Sequence, residues 1–521
     1  MQIHVSAKHG VVGVPTQGNL VTLFPNAKRV TLEGNELMLL KHGVIETRLL
    51  RNMGINVPAP VLNYDFEGGQ PFEVQRKTAA LLTMNTRAYV LNGMGTGKTK
   101  AALWSWRYLS RQRLAGKLLV VAPLSTLNFT WAKEIFQTLP GVTHQVLHGT
   151  KAKRLAKLDD RTADVYIINH DGLAVIAEAL AKRRDIDTLI LDELAVYRNG
   201  TATRTKVTRK VAEKMQWVWG MTGSPTPNGP TDAWSQCSIV TPNTVPKYFN
   251  RFRDEVMYKL TQFKWVPKEG SLDRVLDVMQ PAVRFTLDDV VELPDLVERT
   301  VDIEMGDKQA RVYAQMEQHA FMQIASKEIT AMNAGAVLNK LLQISTGYVY
   351  TREKDVVQLD NDERLEALVD AINSTDRKVL VFVPFVHALE AIEKRLTSEG
   401  YDVRAIHGGT VKSFRDETFQ LFQNTNKVRI IVAHPQTMAH GLTLTAADTI
   451  IWFAPITSLE IFEQANARIR RVGQKHKQQV LMFQATKAER RMYARLRAKQ
   501  RVQNTLLDMF AETTTHGESD V

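Results

Sequence analysis

Leu91-Asn92-Gly93-Met94-Gly95-Thr96-Gly97-Lys98-Thr99-Lys100 follows the apolar run Tyr89-Val90-Leu91 and precedes Ala101-Ala102-Leu103-Trp104. The run reads as a buried strand and the sequel as a helix. Strand, glycine-rich turn and helix is the context of a phosphate loop. Its glycines let successive N–H groups converge on an anion, and the helix N-terminus adds a positive dipole end. On this reading the backbone of Gly93, Met94, Gly95, Thr96 and Gly97 cradles a nucleotide's phosphates. Lys98 reaches the β- and γ-phosphates, and the Thr99 hydroxyl ligates Mg²⁺. The strict GxxxxGK[ST] pattern fails at its first position, where Asn92 stands; the looser GxGK[ST] is met from Gly95 to Thr99. A glycine-rich structural turn also fits that looser form, so the rest of the chain decides.

Strands and helices alternate beyond the loop, which predicts a parallel α/β sheet. Lys117-Leu118-Leu119-Val120-Val121-Ala122-Pro123 is almost continuously apolar, as a sheet covered on both faces requires. It ends in Leu124-Ser125-Thr126-Leu127. Ala163 to Ile168 ends in Asn169-His170-Asp171, and Asp187 to Leu191 ends in Asp192-Glu193. Ligands of open α/β sheets bind at such carboxyl ends. An acidic pair there is costly to hide and meets either solvent or a cation. Asp192 is the candidate Mg²⁺ carboxylate, and Glu193 is the candidate base that orients the attacking water. Trp217-Val218-Trp219-Gly220-Met221 runs into Thr222-Gly223-Ser224-Pro225. Upstream, Gln75 lies about one helix before the loop, where an amide can pair with an adenine edge.

The formal charge of +12 favours a polyanionic partner. Arg468 to Arg501 holds twelve Lys and Arg against one acid, Glu489, so most of the excess sits there. The single cysteine, Cys237, excludes an intramolecular disulfide and a cysteine-rich zinc site. With no signal-like start and no membrane-length apolar run, a cytoplasmic protein is expected, in a bacterium or phage-infected cell. Residues 1–65 read as a small accessory α+β domain: strands at 19–24 and 29–32, a helix over 36–53, then a linker at Pro58 and Pro60. It carries no recognisable motif.

Gly95–Thr99, Ala122–Leu127, Asp192-Glu193 and Thr222–Pro225 resemble motifs I, Ia, II and III of helicase superfamily two, within it the Swi/Snf-type translocases. The second half agrees. Ile406-His407-Gly408-Gly409-Thr410 resembles a DNA-facing loop, Gly441 to Asp448 is similar to motif V, and Gln464 to Gln474 matches QAxxRxxRxGQ of motif VI. The resemblance covers roughly 66–485. It implies two RecA-like parallel-sheet lobes with helical insertions: lobe 1 over 66–290, with a helical insertion at about 233–290; lobe 2 over 291–485, with a helical segment at about 307–345. A basic helix and tail follow over 486–521, with Met492, Leu496 and Val502 facing the core. ATP and Mg²⁺ are the implied cofactors. Arg468 and Arg471 then act on the γ-phosphate, Gly441 and Gln464 belong to the nucleotide site, and Thr222 and Ser224 couple it to the DNA side. Ser125, Thr126, His170, His407, Gly408 and Gly409 are the implied backbone contacts to DNA, with Arg490, Arg491, Arg495 and Arg497 of the basic helix beside them.

Two positions depart from the family. Leu194 and Ala195 follow Glu193 where Ala and His are usual, and Thr457-Ser458-Leu459 replaces the Trp-Asn-Pro that precedes motif VI. The second replacement and the shortness of the chain look most like phage and bacterial members. The expected activity is a monomeric, DNA-dependent ATP hydrolase translocating on duplex or branched DNA, sequence-independently. Alternatives are a strand-separating or branch-migrating helicase of phage-type replication and recombination, an RNA helicase, and a nucleic-acid-binding subunit with a degenerate ATPase.

Overall fold

A computed structural model describes residues 3–16, 18–32, 34–261, 264–325, 331–350, 356–438 and 443–516. The chain forms two compact units, Met1–Val290 with Gln503–Val521, and Val291–Val502.

The first unit is built on a seven-stranded sheet in the order Ala282–Val283, Arg87–Val90, Trp217–Met221, Ile186–Asp192, Lys117–Ala122, Val165–Asn169, His144–Val146. All its pairings are parallel, so the strand carboxyl ends share one edge. Alternate residues feed two separate cores. Tyr89 and Leu91 pack with Leu189 and Tyr166 on one face; Ala88 and Val90 pack with Trp131, Trp219 and Ile190 on the other. Burial of both faces explains the near-continuous apolar strands.

The stretch expected as a helical insertion is only partly helical. Helices Asp232–Val240 and Phe249–Val256 are followed by a hairpin, Met257–Thr261 with Lys264–Pro267, and then by the helix Ser271–Val278. The chain then returns to the main sheet as Ala282–Val283, which pairs with the strand leading into the phosphate loop.

The N-terminal region departs most from expectation. Against the strand expected over 19–24, Gly18–Leu23 is helical. Against the helix expected over 36–53, the chain forms a strand, Asn35–Lys41, followed by a helix, Val44–Asn52. Short apolar runs suit either state, and pairing decides. Asn35–Lys41 lies between Val11–Pro15 and Lys28–Leu32 in a four-stranded antiparallel sheet, bonded on both sides. The region also docks onto the parallel-sheet core: Arg48 Nε donates to Met84 O at 2.8 Å, and its guanidinium lies over Trp217.

The second unit has a six-stranded parallel sheet in the order Leu296–Asp302, Gln478–Gln484, Ala447–Trp452, Lys378–Phe382, Ile430–Ala433, Val403–Ile406. Helices Asp307–Ala325 and Ala331–Ser345 precede its central strands. A buried ion pair, Arg364 to Glu489 at 2.6 Å, anchors the start of the last helix, Lys487–His516. Met492 and Leu496 of that helix are buried, but Val502 is 44% exposed, contrary to expectation. From Gln503 the helix belongs to the first unit, where Leu506, Leu507 and Phe510 enter the core.

Candidate nucleotide site and nucleic-acid face

The helix after the phosphate loop, Lys98–Arg111, starts behind Gly97, whose φ of 79° lies in the left-handed region. The conformation favours glycine, and a Cβ there would stand 2.0 Å from Gln75 Nε2 and push that amide aside. Lys98 Nζ donates to Asn92 O at 2.8 Å and Gly93 O at 3.0 Å, folding back over its own loop. The Thr96 hydroxyl donates to Gly93 O.

Asn92, the departure from the strict pattern, is a buried crosslink. Its Oδ1 accepts the Phe285 N–H at 3.0 Å, and its Nδ2 donates to Thr78 Oγ1 at 2.9 Å. Gly93 N donates to Phe285 O at 2.7 Å, and Arg284 donates to Leu91 O at 2.7 Å. The loop is thus stitched to the helix Glu73–Met84 and to the segment following the edge strand. Arg284 N in turn donates to Thr514 Oγ1 of the last helix. Gln75, expected near an adenine edge, is engaged within the protein. Its Oε1 accepts Phe72 N at 2.9 Å and its Nε2 donates to Thr96 O at 3.4 Å. At 3% exposure its amide braces the loop and is not turned out towards an adenine.

Asp192 ends its strand beside this loop. Its Oδ2 accepts the Trp131 indole N–H at 2.9 Å, and its Oδ1 accepts the Glu193 N–H at 3.1 Å. Burial raises its carboxyl above the ordinary range; the Trp131 N–H, the Lys98 ammonium and the Glu193 N–H pull the other way. Glu193 adopts φ 54° and ψ 56°, a left-handed conformation that non-glycine residues hold mainly where surroundings force it. Leu194 and Ala195, which replace the usual Ala and His, are fully buried. Motifs II and III meet instead through the sheet, where Met221 pairs with Asp192. Beyond it the Thr222 hydroxyl accepts Ser224 N, and Ser224 Oγ accepts Gln503 Nε2 of the last helix at 3.2 Å.

A magnesium ion is a hard cation that takes one or two protein oxygens plus phosphates. The Thr99 hydroxyl and the Asp192 carboxylate are all-oxygen donors of that kind, so the residues present fit it. Among the described residues no group of three or more His, Cys, Asp or Glu is gathered into a protein-only metal cage.

The residues expected to contact DNA divide. Ser125 is exposed, but Thr126 is 7% exposed and its hydroxyl donates to Pro123 O. His170, expected at a DNA contact, lies inside. It is 7% exposed and its Nδ1 shares a 2.8 Å hydrogen bond with the Tyr197 hydroxyl, so the ring is held inside and not offered to a phosphate. In the second unit His407 Nδ1 accepts the Gly409 N–H, which puts the ring proton on Nε2, 3.9 Å from Glu390. Gly408 and Gly409 are exposed.

Motifs V and VI interlock. Gln474 Nε2 donates to Ala447 O at 2.8 Å, and Leu444 N donates to Arg468 O at 3.0 Å. Arg468 is 2% exposed with its Nε on Gln464 O; Gln464 is itself buried. Arg471 donates to Ala467 O and Thr443 Oγ1, and burial pushes its guanidinium down to about 10, so it remains charged at neutral pH. Gly441 lies outside the described residues. On the last helix Arg491, Arg495 and Arg497 are exposed, whereas Arg490 pairs with Asp302 at 3.1 Å.

Residues 81–352 match the family model of the SNF2-related domain, and residues 363–473 match the helicase conserved C-terminal domain. The chain is 27% identical over 401 residues to protein p41 of Acyrthosiphon pisum secondary endosymbiont phage 1, covering 74% of this chain and 85% of that protein. It is 23% identical over 436 residues to an uncharacterized ATP-dependent helicase of Mycoplasma genitalium, covering 82% of this chain but 41% of the relative. Among solved structures it is similar to the SWI2/SNF2 ATPase core of Sulfolobus solfataricus in complex with dsDNA, with 19% identity, a TM-score of 0.40, and 87% of this chain and 96% of that one covered.

Proposed function

This chain belongs to the SNF2-related domain family, and from that premise we propose that it is a DNA-stimulated ATP hydrolase that moves along duplex or branched DNA. The observation that carries the reading is the juxtaposition of Lys98, the phosphate loop and the Asp192-Glu193 strand end at one sheet edge. Mg²⁺, which the Thr99 hydroxyl and the Asp192 carboxylate would hold, would neutralise charge developing on the transferred group.

The chain's own residues do the rest. Leaving the carbonyls of Asn92 and Gly93, Lys98 moves to the phosphates. Glu193, held in its strained turn, orients water for in-line attack. Arg468 and Arg471 supply cationic charge to the γ-phosphate, a contribution worth about 10³–10⁵ in rate in related phosphoryl transfers. The exposed Ser125, Gly408, Gly409, Arg491, Arg495 and Arg497 contact backbone phosphates, which positions the motor without reading sequence.

The test is ATP turnover measured without nucleic acid and with duplex, single-stranded, forked and four-way DNA, and with RNA. Stimulation by duplex-containing DNA supports the reading. Stimulation by RNA alone, or none at all, refutes it.

A further inference from the structure

We propose that Trp131 is a positioning residue for Asp192, and that the π-helical turn carrying it couples the exposed loop at Leu124 and Ser125 to that carboxylate. The positioning half stands on the nucleotide site alone; the coupling half rests on the DNA-motor reading.

Trp131 has no exposed surface. Its indole N–H can only donate, and a buried indole needs an acceptor. The acceptor is Asp192 Oδ2, 61 residues away in the chain. With Oδ1 held by the Glu193 N–H, both oxygens of the carboxylate are constrained, and its plane is set from two sides. Metal-ligating carboxylates depend on such partners for their orientation.

The backbone around Trp131 gives the contact its second role. Leu127–Ala132 is π-helical, lying directly between the strand-end loop and the α-helix Lys133–Thr138. Single π turns inside helices recur at functional sites. Leu127 and Ile135 pack into the same core as Trp131 and fix the turn's inner side, while Leu124 and Phe129 are more than half exposed. Relaxing a π turn to α geometry removes one residue from the turn. That swings the following side chains by about 100°, which would take the indole away from Asp192. Trp131 lies five residues after Thr126 and six after Ser125. A phosphate bound at Ser125 therefore acts on the metal carboxylate through a single turn of backbone.

Two replacements test this: Trp131→Phe, and site-specific 3-benzothienylalanine at 131, which keeps the bicyclic shape but puts sulfur where the N–H was. Affinity for methylanthraniloyl-ATP is measured in EDTA and in MgCl₂ without DNA. Turnover is then compared with and without saturating duplex. Affinity in EDTA is expected to stay within about twofold of wild type. The enhancement by Mg²⁺ should fall about tenfold, as removal of a ligand-orienting partner does elsewhere, and duplex stimulation should fall with it. Unchanged Mg²⁺ enhancement in the benzothienyl variant would make Trp131 a packing residue and overturn the proposal. Reduced enhancement with normal duplex stimulation would overturn the coupling alone. A wild-type enzyme that no DNA stimulates would instead refute the motor reading, while the Mg²⁺ titration would still decide the positioning role.

Discussion

The phosphate loop and the arginines of motif VI are held in different ways. The loop is tied to residues far along the chain: Asn92 to Thr78 and Phe285, Gln75 to Thr96, and Asp192 to Trp131. Each arginine has a bond to a carbonyl four residues back, Arg468 to Gln464 O and Arg471 to Ala467 O, and Arg471 also reaches the exposed Thr443 hydroxyl. A loop crosslinked through buried amides is rigid before nucleotide arrives, and its hydrogen bonds are costly to leave unmade. An arginine bonded to its own helix carbonyl gives up little to reach a new anion, because the carbonyl keeps its other lone pair. Preorganisation is thus concentrated in the first unit and adjustability in the second.

The largest effect that could break this contrast is on turnover. Lys98→Ala should lower ATP hydrolysis by at least about 10²-fold, the scale for removing one preorganised charge-stabilising donor, and should weaken nucleotide binding as well. Arg471→Ala should lower turnover by about 10³-fold yet leave nucleotide affinity within about threefold. Steady-state kinetics with equilibrium nucleotide binding separates the two. Equal weakening of affinity in both variants would end the distinction between a preformed and an adjustable half.

Stability gives the next largest effect. Asn92→Leu keeps the volume but orphans the buried Phe285 N–H, at a cost of about 1–3 kcal/mol. Melting by calorimetry should drop by several degrees. Thr443→Val removes the exposed partner of Arg471 and should cost under about 0.5 kcal/mol. Similar destabilisation by both would contradict the contrast.

The parallel sheets and most strand ends were legible because buried parallel strands announce themselves as apolar runs with small or acidic residues at their ends. The role of Asn92 was not, since in sequence it reads only as a missing glycine. Trp131 was silent for the same reason: its partner is 61 residues away, and an aromatic in an apolar helix reads as core. Gln75 and His170 were expected to face ligands, but a residue near a motif can as well be spent on holding it, and both are buried and bonded. In the N-terminal region 19–24 and 36–53 read wrongly because a segment of six or seven residues with three or four apolar side chains fits a helix or a strand alike until tertiary pairing chooses. The edge strand Ala282–Val283 is two residues long, below what any periodicity can reveal.

A smaller effect belongs to the basic helix. Replacing Arg490, Arg491, Arg495 and Arg497 with Gln should weaken DNA binding for all sequences alike. It should also make the salt slope shallower, by about 0.9 for each phosphate that is no longer neutralised. Arg490 alone should contribute least, because Asp302 already neutralises it. Binding isotherms at several salt concentrations check both statements. An unchanged slope in the fourfold variant would remove this helix from the DNA interface.

The most direct test of the account is ATP turnover of the wild-type chain and of Glu193→Gln, each with and without duplex DNA. The account predicts that duplex accelerates the wild type, and that Glu193→Gln binds ATP normally but hydrolyses it at least about 10²-fold more slowly in either condition. Glu193→Gln turning over at the wild-type rate, or a wild type indifferent to duplex, would contradict it.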